Sequence, residues 1–505
     1  MSTTSAKLPS KSAVVIGGGF IGISSAIHLC SRGFAVTVLE KARSGVGSKK
    51  DGECASYGNA GTFAPYATFG LNDDSPASLL SAGVKAFFGG SLMFGSTKSG
   101  DDGDVLANPL SFSLSASNAS EVMKFAMHFL RNSSAENRVK TNEGLSELCK
   151  RASSSWKETL RLAGVNDARA FLEEHANRNG YLLLTKSRFD SKEVIEKNEE
   201  RKRLLGDKNI WNHEGEGELI GPEMCKQLEP NLTDSAVANG GVYFKDAWSL
   251  RAPDVFLKKL AEFALKMKGP SGGSVVIKAG SSGEVVDVRG EQQNDEKAEI
   301  VTKSGDVYTN VHTIVVCSGW RSKEIAKMCG DGDIPLIAER GYSVEFSDTE
   351  QVSPSKLLTR ATCFQRGGFI ISPLQSRLRA AGLVEFGPDQ PPTASNLLSL
   401  ENSTRKLLRN FSDAPPRNKN SDWLGGRPTL PDYLPVLSRS SAKSNVIYAF
   451  GHQHIGFTLA GITGKIVADI ATTTGAQQRG DDHFPLEPYA RSKIPLILYS
   501  AERKT

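Results

Sequence analysis

The residues whose types and spacing most clearly could do chemistry are Gly17-Gly18-Gly19-Phe20-Ile21-Gly22 and, about 20 residues further on, Glu40. Gly17 permits a tight turn, Gly19 lets the main chain approach a pyrophosphate with no side chain between, and Gly22 lets a following helix lie close on a strand. A pyrophosphate held there sits at a helix N-terminus, where free N–H groups and the positive dipole end attract anions. Glu40 is placed to accept hydrogen bonds from the hydroxyls of an adenosine ribose. A chain with 49 glycines can offer G-x-G-x-x-G by chance, so the motif's weight rests on its surroundings.

The surrounding elements are the ones the chemistry needs. Ala13-Val14-Val15-Ile16 suits a buried strand; Ile23, Ile27 and Leu29 fall near one face of a helix that Gly33 closes; and Ala35-Val36-Thr37-Val38-Leu39 is a second apolar strand ending at Glu40. Strand, glycines, helix, strand and acid in that order read as a nucleotide-binding βαβ unit. Further along, Val311 to Cys317 predicts a third buried strand, with Ser318-Gly319-Trp320 making a tight turn near the cofactor. Helices are predicted over 121–130, 145–162, 190–205 and 251–268, strands over 180–185 and 240–244, and a three-stranded meander from Ser274–Ile277, Glu284–Val288 and Glu299–Thr302. From Ile337 the segments RGYSVEF, FIIS and LRAAGLVEF are aromatic and β-branched, so an antiparallel sheet follows. Asn445 to Phe450 predicts another strand, Gly451-His452-Gln453-His454-Ile455-Gly456 a Gly-bounded loop, and Phe457 to Ile470 a helix.

Composition narrows the function classes. A formal charge of +5 on 505 residues, with no long aromatic-interleaved Lys/Arg block, gives no support to nucleic-acid binding. Seven cysteines, an odd number with no C-x-x-C, point to a reducing compartment and to neither a disulfide nor a zinc framework. The eight histidines show no ligand-like grouping beyond His452 and His454, so no metal is expected. The first twelve residues lack a signal-like apolar region, and no run approaches the roughly 18 apolar residues of a spanning helix. A cytoplasmic protein is the expectation, while Val84 to Phe94 suits either core packing or a peripheral membrane contact.

The order of motifs resembles the flavin-dependent D-amino acid oxidase superfamily, and within it the D-amino acid dehydrogenases of the small-subunit type and related amine dehydrogenases. Ala55-Ser56-Tyr57-Gly58-Asn59-Ala60-Gly61 is similar to that family's Ser-x-x-Asn-Ala-Gly loop. Arg340-Gly341-Tyr342-Ser343 and Arg377-Leu378-Arg379 through Gly382 to Glu385 resemble its substrate-domain strands. Gly426-Arg427-Pro428, Pro431-Asp432, Leu434-Pro435-Val436 and Gly451-His452 to Thr458 resemble its C-terminal block. The likeness runs from about Ala13 to Ile470. Two departures stand out: Gly426 replaces a large apolar residue, and Gln453 and His454 replace smaller ones.

The resemblance implies an α/β protein with a discontinuous, Rossmann-like, glutathione-reductase-like FAD-binding domain over 12–70, 244–335 and 421–475. A second, α+β substrate domain on an antiparallel sheet would comprise 71–243 and 336–420, with 476–505 as a tail. Cofactor contacts are implied for Gly17, Gly19, Phe20, Ile21, Gly22, Glu40 and Lys41, for Ser56, Asn59, Ala60 and Gly61, for Val285, Gly319 and Trp320, and for Gly451, Ile455, Gly456, Phe457 and Thr458. Neither Tyr57 nor Phe450 offers an attaching Cys or His, so the FAD is expected to be non-covalent. Arg427 is implied as the substrate-carboxylate residue, because a guanidinium pairs bidentately with a carboxylate. Tyr342 adds a hydroxyl to that carboxylate or lines the pocket, and His452 meets the flavin or holds its loop.

The activity implied is oxidation of an amino acid, a D-amino acid first, or of a small secondary amine, by hydride transfer to the flavin. The alternatives are 2-hydroxy acid oxidation on the same fold and a flavin-binding scaffold without turnover. Oxygen, a quinone and an electron-transfer protein all remain open as the acceptor.

Overall fold

The computed structural model describes residues 11–48, 54–69, 110–112, 119–206, 216–289, 298–332, 334–386, 393–411 and 415–473. The Val84–Phe94 stretch and the tail 476–505 lie outside the described residues.

The βαβ unit forms as its sequence dictates: strand Ser12–Ile16, helix Phe20–Ser31, strand Ala35–Glu40. The two strands pair in parallel and belong to a six-stranded sheet. Its order across the sheet is Ser274–Ala279, Ala35–Glu40, Ser12–Ile16, Thr313–Val316, Val446–Phe450 and Val436–Arg439, and only the last runs antiparallel. Both faces are covered, which explains the unbroken apolar strands. Ala13 and Val15 face a core shared with helices Phe20–Ser31, Pro253–Lys266 and Gly456–Thr472, whereas Val14 and Ile16 face Val288, Ile300 and Ile325.

Three expectations are corrected here. Ser274–Ala279 is no meander strand; it extends the parallel sheet beside Ala35–Glu40, and the meander is Val285–Arg289, Glu299–Thr302 and Val307–Tyr308. A period-two apolar strand announces its faces and not its partner; here helix Pro253–Lys266, packed on the sheet, delivers the next strand in parallel. The helix predicted at 145–162 runs from Ala135 to Leu162, and it packs on the parallel sheet's side of the molecule instead of with the second sheet. Leu145, Leu148, Ala152 and Trp156 recur at helical spacing on its buried face, and the Trp156 indole donates to the Phe457 carbonyl at 2.9 Å. Finally, Trp423–Thr429 was expected with the cofactor domain, yet it forms an edge of the second sheet, paired antiparallel with Ile337–Ser347.

That second sheet has nine strands. Along it lie Trp423–Thr429, Ile337–Ser347, Arg377–Phe386, Phe369–Leu374, Ala361–Phe364, Tyr181–Leu184, Gly241–Phe244 and Glu218–Ile220, with Leu110–Phe112 pairing beside Arg377–Phe386. One face buries Val344, Phe346, Ile371 and Leu378 against helix Ala394–Leu407. Residues from its other face border a cavity shared with the parallel sheet.

Candidate active site

A cavity of about 1780 Å³ runs between the two sheets. That exceeds the ~300–1,000 Å³ of a site for one small ligand and has room for a dinucleotide beside a substrate. Its walls contain Gly17, Gly19, Phe20, Ile21, Glu40, Lys41, Ser56, Asn59, Ala60, Gly61, Val285, Gly319, Trp320, Gly456, Phe457, Arg427, Tyr342 and His452. The structure thus brings together most of the residues singled out from sequence. Gly22, Gly451, Ile455 and Thr458 do not reach the lining.

These four sit just behind the wall, for identifiable reasons. A Cβ on Gly22 would overlap the Gly17 carbonyl oxygen, so this glycine permits the helix to close on the turn. Ile455 is in the core, and the Thr458 hydroxyl accepts the Ala64 N–H at 2.9 Å. Gly451, at φ +88°, turns the chain into the loop.

At the nucleotide end the cavity is made of main chain. Gly17 holds φ +112°, a conformation closed to most residues. Gly19 caps helix Phe20–Ser31 with no side chain and the first helical turn contains no acid; the Phe20 N–H donates to the Ser56 hydroxyl at 3.3 Å. The Glu40 carboxylate accepts Gly18 N–H at 2.7 Å and Ala42 N–H at 2.8 Å, which fixes it over the glycine turn. The loop Ala55–Gly61 is braced in the same way: the Asn59 amide donates to the Ser56 carbonyl at 2.8 Å and accepts the Gly61 N–H at 2.7 Å. Beneath it the fully buried Arg379 donates to the Tyr57 and Asn59 carbonyls, each at 2.8 Å, while Glu345 balances its charge at 2.6 Å. Arg379 entered the sequence reading only as part of a strand motif.

At the other end the cavity is made of side chains. Arg427 and Glu339 are direct neighbours across two strands, and Arg427 Nη1 donates to Glu339 Oε1 and to the Leu383 carbonyl, both at 2.9 Å. Nε and Nη2 of Arg427 lie over Gly341, where a Cβ would overlap them, and have no acceptor among the described residues, so this edge of a residue that lines the cavity is open. Glu339, 2% exposed, also accepts from the Thr429 hydroxyl at 3.0 Å. Sequence reasoning missed Glu339 because its meaning comes from the ladder register with Arg427.

Three bulky residues bordering this end hold left-handed backbone: Leu383 at φ 60°, Tyr433 at φ 61° and Gln453 at φ 49°. Such positions cost of order 1–3 kcal/mol and persist where the surroundings enforce them. Here the Leu383 carbonyl receives Arg427, and the Tyr433 carbonyl receives the Gln453 side-chain amide. Gln453 therefore does not reach into the cavity with a free amide; the polar newcomer of this loop is His454, which is exposed to the cavity. Enclosure by the walls pushes the His454 imidazole below its ordinary value; Glu339 opposes this and Arg427 adds to it. The Gly426 departure is explained by Trp320, whose ring Cδ1 lies 2.6 Å from where a Cβ on residue 426 would stand. The bulk absent from one strand is supplied by the turn after another.

Two of the proposed reactive groups are committed elsewhere. Tyr342 borders the cavity, but its ring is fully buried in the core under helix Ala394–Leu407, and its hydroxyl donates to Glu385 with Thr393 beside it at 3.1 Å. It has no hydroxyl to give a substrate, which corrects one of the two roles foreseen for it. His452 pairs with the Thr463 hydroxyl at 2.9 Å, and burial pushes its pKa down to about 3. A neutral ring tied to its own helix is suited to brace the loop. Among the described residues no cluster of His, Cys, Asp and Glu could hold a metal, and no helix is long and apolar enough to cross a membrane.

A glycine turn on a mostly parallel sheet, an acid fixed over it and a second, mainly antiparallel sheet with two parallel pairs, closing the cavity, fit the fold class of FAD-dependent oxidoreductases, and the cradle fits that dinucleotide. Gly17 to Ile21 would hold the pyrophosphate, Glu40 the ribose, and the Ser56–Gly61 and Gly456–Phe457 segments the ring system. Residues 12–470 match the DAO family, FAD-dependent oxidoreductases, and the chain belongs to that family. It is similar to a D-amino-acid oxidase of Bradyrhizobium diazoefficiens, 27% identical over 95% of this chain and 98% of that one. A D-amino acid dehydrogenase of Vibrio atlanticus is 25% identical over 93% of this chain and 98% of that one. Among solved structures, glycine oxidase from Geobacillus kaustophilus superposes with a TM-score of 0.61 at 18% identity, covering 98% of this chain and 99% of that one, a likeness of fold.

Proposed function

We propose that this flavoenzyme oxidises an α-amino acid, in the first instance a D-amino acid, to the imino acid, which water then hydrolyses to the oxo acid and ammonia. The FAD is held without a covalent bond and, when bound, takes the hydride that leaves the substrate's α-carbon. The observation that carries this reading is the open edge of Arg427: a planar, permanently charged fork inside the same cavity as the glycine cradle.

The protein's own contributions follow from the geometry. Arg427 would bind the carboxylate through Nε and Nη2 while Glu339 and the Leu383 carbonyl keep Nη1 still, which fixes the position of the α-carbon. The first turn of helix Gly456–Thr472 meets the cavity at Gly456 and Phe457, so its N–H groups are suited to stabilise negative charge developing there. Loss of the amine proton to solvent asks for no dedicated base. Support also comes from the names of the two relatives matched over nearly their full length, both D-amino acid enzymes.

The test is an anaerobic screen in which bleaching of the bound flavin is followed on adding D- and L-amino acids, N-methyl amines and 2-hydroxy acids. D-amino acids should bleach it fastest. Bleaching by hydroxy acids alone would transfer the reading to that substrate class, and no bleaching by any of them would leave a flavin-binding protein without this activity.

A further inference from the structure

Resting on that reading, we infer that the substrate carries a large apolar side chain, an aromatic one fitting best, and that helix Ala119–Asn132 selects it. The helix lays Val122, Phe125 and Phe129 along the cavity at helical spacing, close to the Arg427 end. Phe125 meets Phe386 with ring centroids 5.7 Å apart, and Phe129 meets Tyr433 at 5.9 Å. Ile337, two residues before Glu339 on the same strand, belongs to the same apolar cluster. A carboxylate on Arg427 therefore sends the substituent of its α-carbon toward rings.

Charge bookkeeping excludes the alternative. Once the substrate carboxylate takes the remaining edge of Arg427, the charged residues described on this part of the wall are engaged: Arg427 and Glu339 with each other at 2.9 Å and Arg321 with Glu324 at 3.6 Å. A charged substrate side chain would lose its water and meet no uncompensated partner among the described residues. A small side chain would leave the ring-lined space poorly filled. The helix is also anchored where it needs to be, by Glu121 on Lys323 at 2.6 Å, so the wall is held against the helix that follows the Trp320 turn.

The experiment is anaerobic flavin reduction by the holoenzyme with both enantiomers of alanine, leucine, phenylalanine, tryptophan, glutamate and lysine. For the reactive enantiomer, kcat/KM with phenylalanine should exceed that with alanine by more than the roughly 10–200-fold that one methylene is worth in an apolar pocket. Glutamate and lysine should be slowest. Phe129→Ala should shrink the phenylalanine-to-alanine ratio at wild-type FAD content, and Phe129→Leu should restore part of it. Fastest reduction by alanine, glutamate or lysine overturns the inference and leaves amino acid oxidation standing. An unchanged ratio in Phe129→Ala overturns the selecting role of the helix. If no amino acid reduces the flavin, the underlying reading falls and this one with it.

Discussion

The two ends of the cavity are built on opposite principles. The nucleotide end works by what is missing: glycines at 17 and 19 keep side chains off the turn, Gly22 lets the helix close on it, and Glu40 and the Ala55–Gly61 loop complete it. The substrate end works by what several distant strands contribute: Arg427, Glu339, the Leu383 carbonyl and Tyr433, held partly by strained backbone. A cradle of absent side chains has few ways to be altered and keep its purpose. A pocket of side chains can be retuned one residue at a time, and the Gly426 and Trp320 exchange is one such retuning.

The largest effect that separates the two ends is expected from Arg427→Ala. It removes the partner proposed for the substrate carboxylate and leaves Glu339 buried without its own, a loss of about 3–5 kcal/mol. KM should rise and flavin reduction slow while FAD content stays at the wild-type level; loss of FAD together with activity would mean that the ends are not separable. Arg427→Lys should recover only part, since an ammonium has no planar fork.

Glu40→Ala should do the converse. It removes charge-assisted bonds to Gly18 and Ala42 as well as the one proposed to the ribose, and should weaken FAD binding by about 1.5–3 kcal/mol. Equilibrium dialysis of FAD measures the loss, and saturating FAD should restore turnover. Failure of saturation to restore it would place Glu40's influence at both ends.

Acid should loosen the nucleotide side. His28, in helix Phe20–Ser31 and bonded to Thr159 at 2.9 Å, is pushed down to about 4 by burial, and His452 to about 3. Both folded values lie below the unfolded one, so the unfolded chain binds more protons between them and stability falls as pH drops below about 6.5. By pH 5.5 each costs roughly 1 kcal/mol, read as a fall in Tm that His28→Gln should lessen. A Tm independent of pH between 7 and 5.5 contradicts neutral burial. The smallest effect is Tyr342→Phe: about 1 kcal/mol of stability for its bond to Glu385, with kcat/KM unchanged. A large fall in kcat/KM would restore its hydroxyl to the substrate.

This contrast also explains what could be read from the sequence. Gly17, Gly22 and Glu40 were legible because their roles depend on neighbours in the chain. Glu339 was not, since it acquires its role through register with Arg427 on a strand far away in sequence. Leu383 and Tyr433 gave no signal, because left-handed backbone at a non-glycine residue is imposed by its surroundings. Strand Ser274–Ala279 was recognised and given the wrong partners, as a two-residue period specifies faces only. Arg427 was found through family likeness, and its open edge only through its geometry.

Closure of the parallel sheet by Val446–Phe450, and of helix Phe20–Ser31 by Gly456–Thr472, sets a timetable for making the protein. The fingerprint leaves the ribosome first, but its covering helix and the last parallel strand leave near the end, on the order of tens of seconds later. Through that interval Ile23 and Ile27 lack the helix that covers them most, and once made, strand Thr313–Val316 has an unpaired edge, the conditions that recruit chaperones or invite wrong pairing. A chain stopped before residue 446 would carry every glycine of the motif and lack both the last parallel strand and the helix that covers the fingerprint.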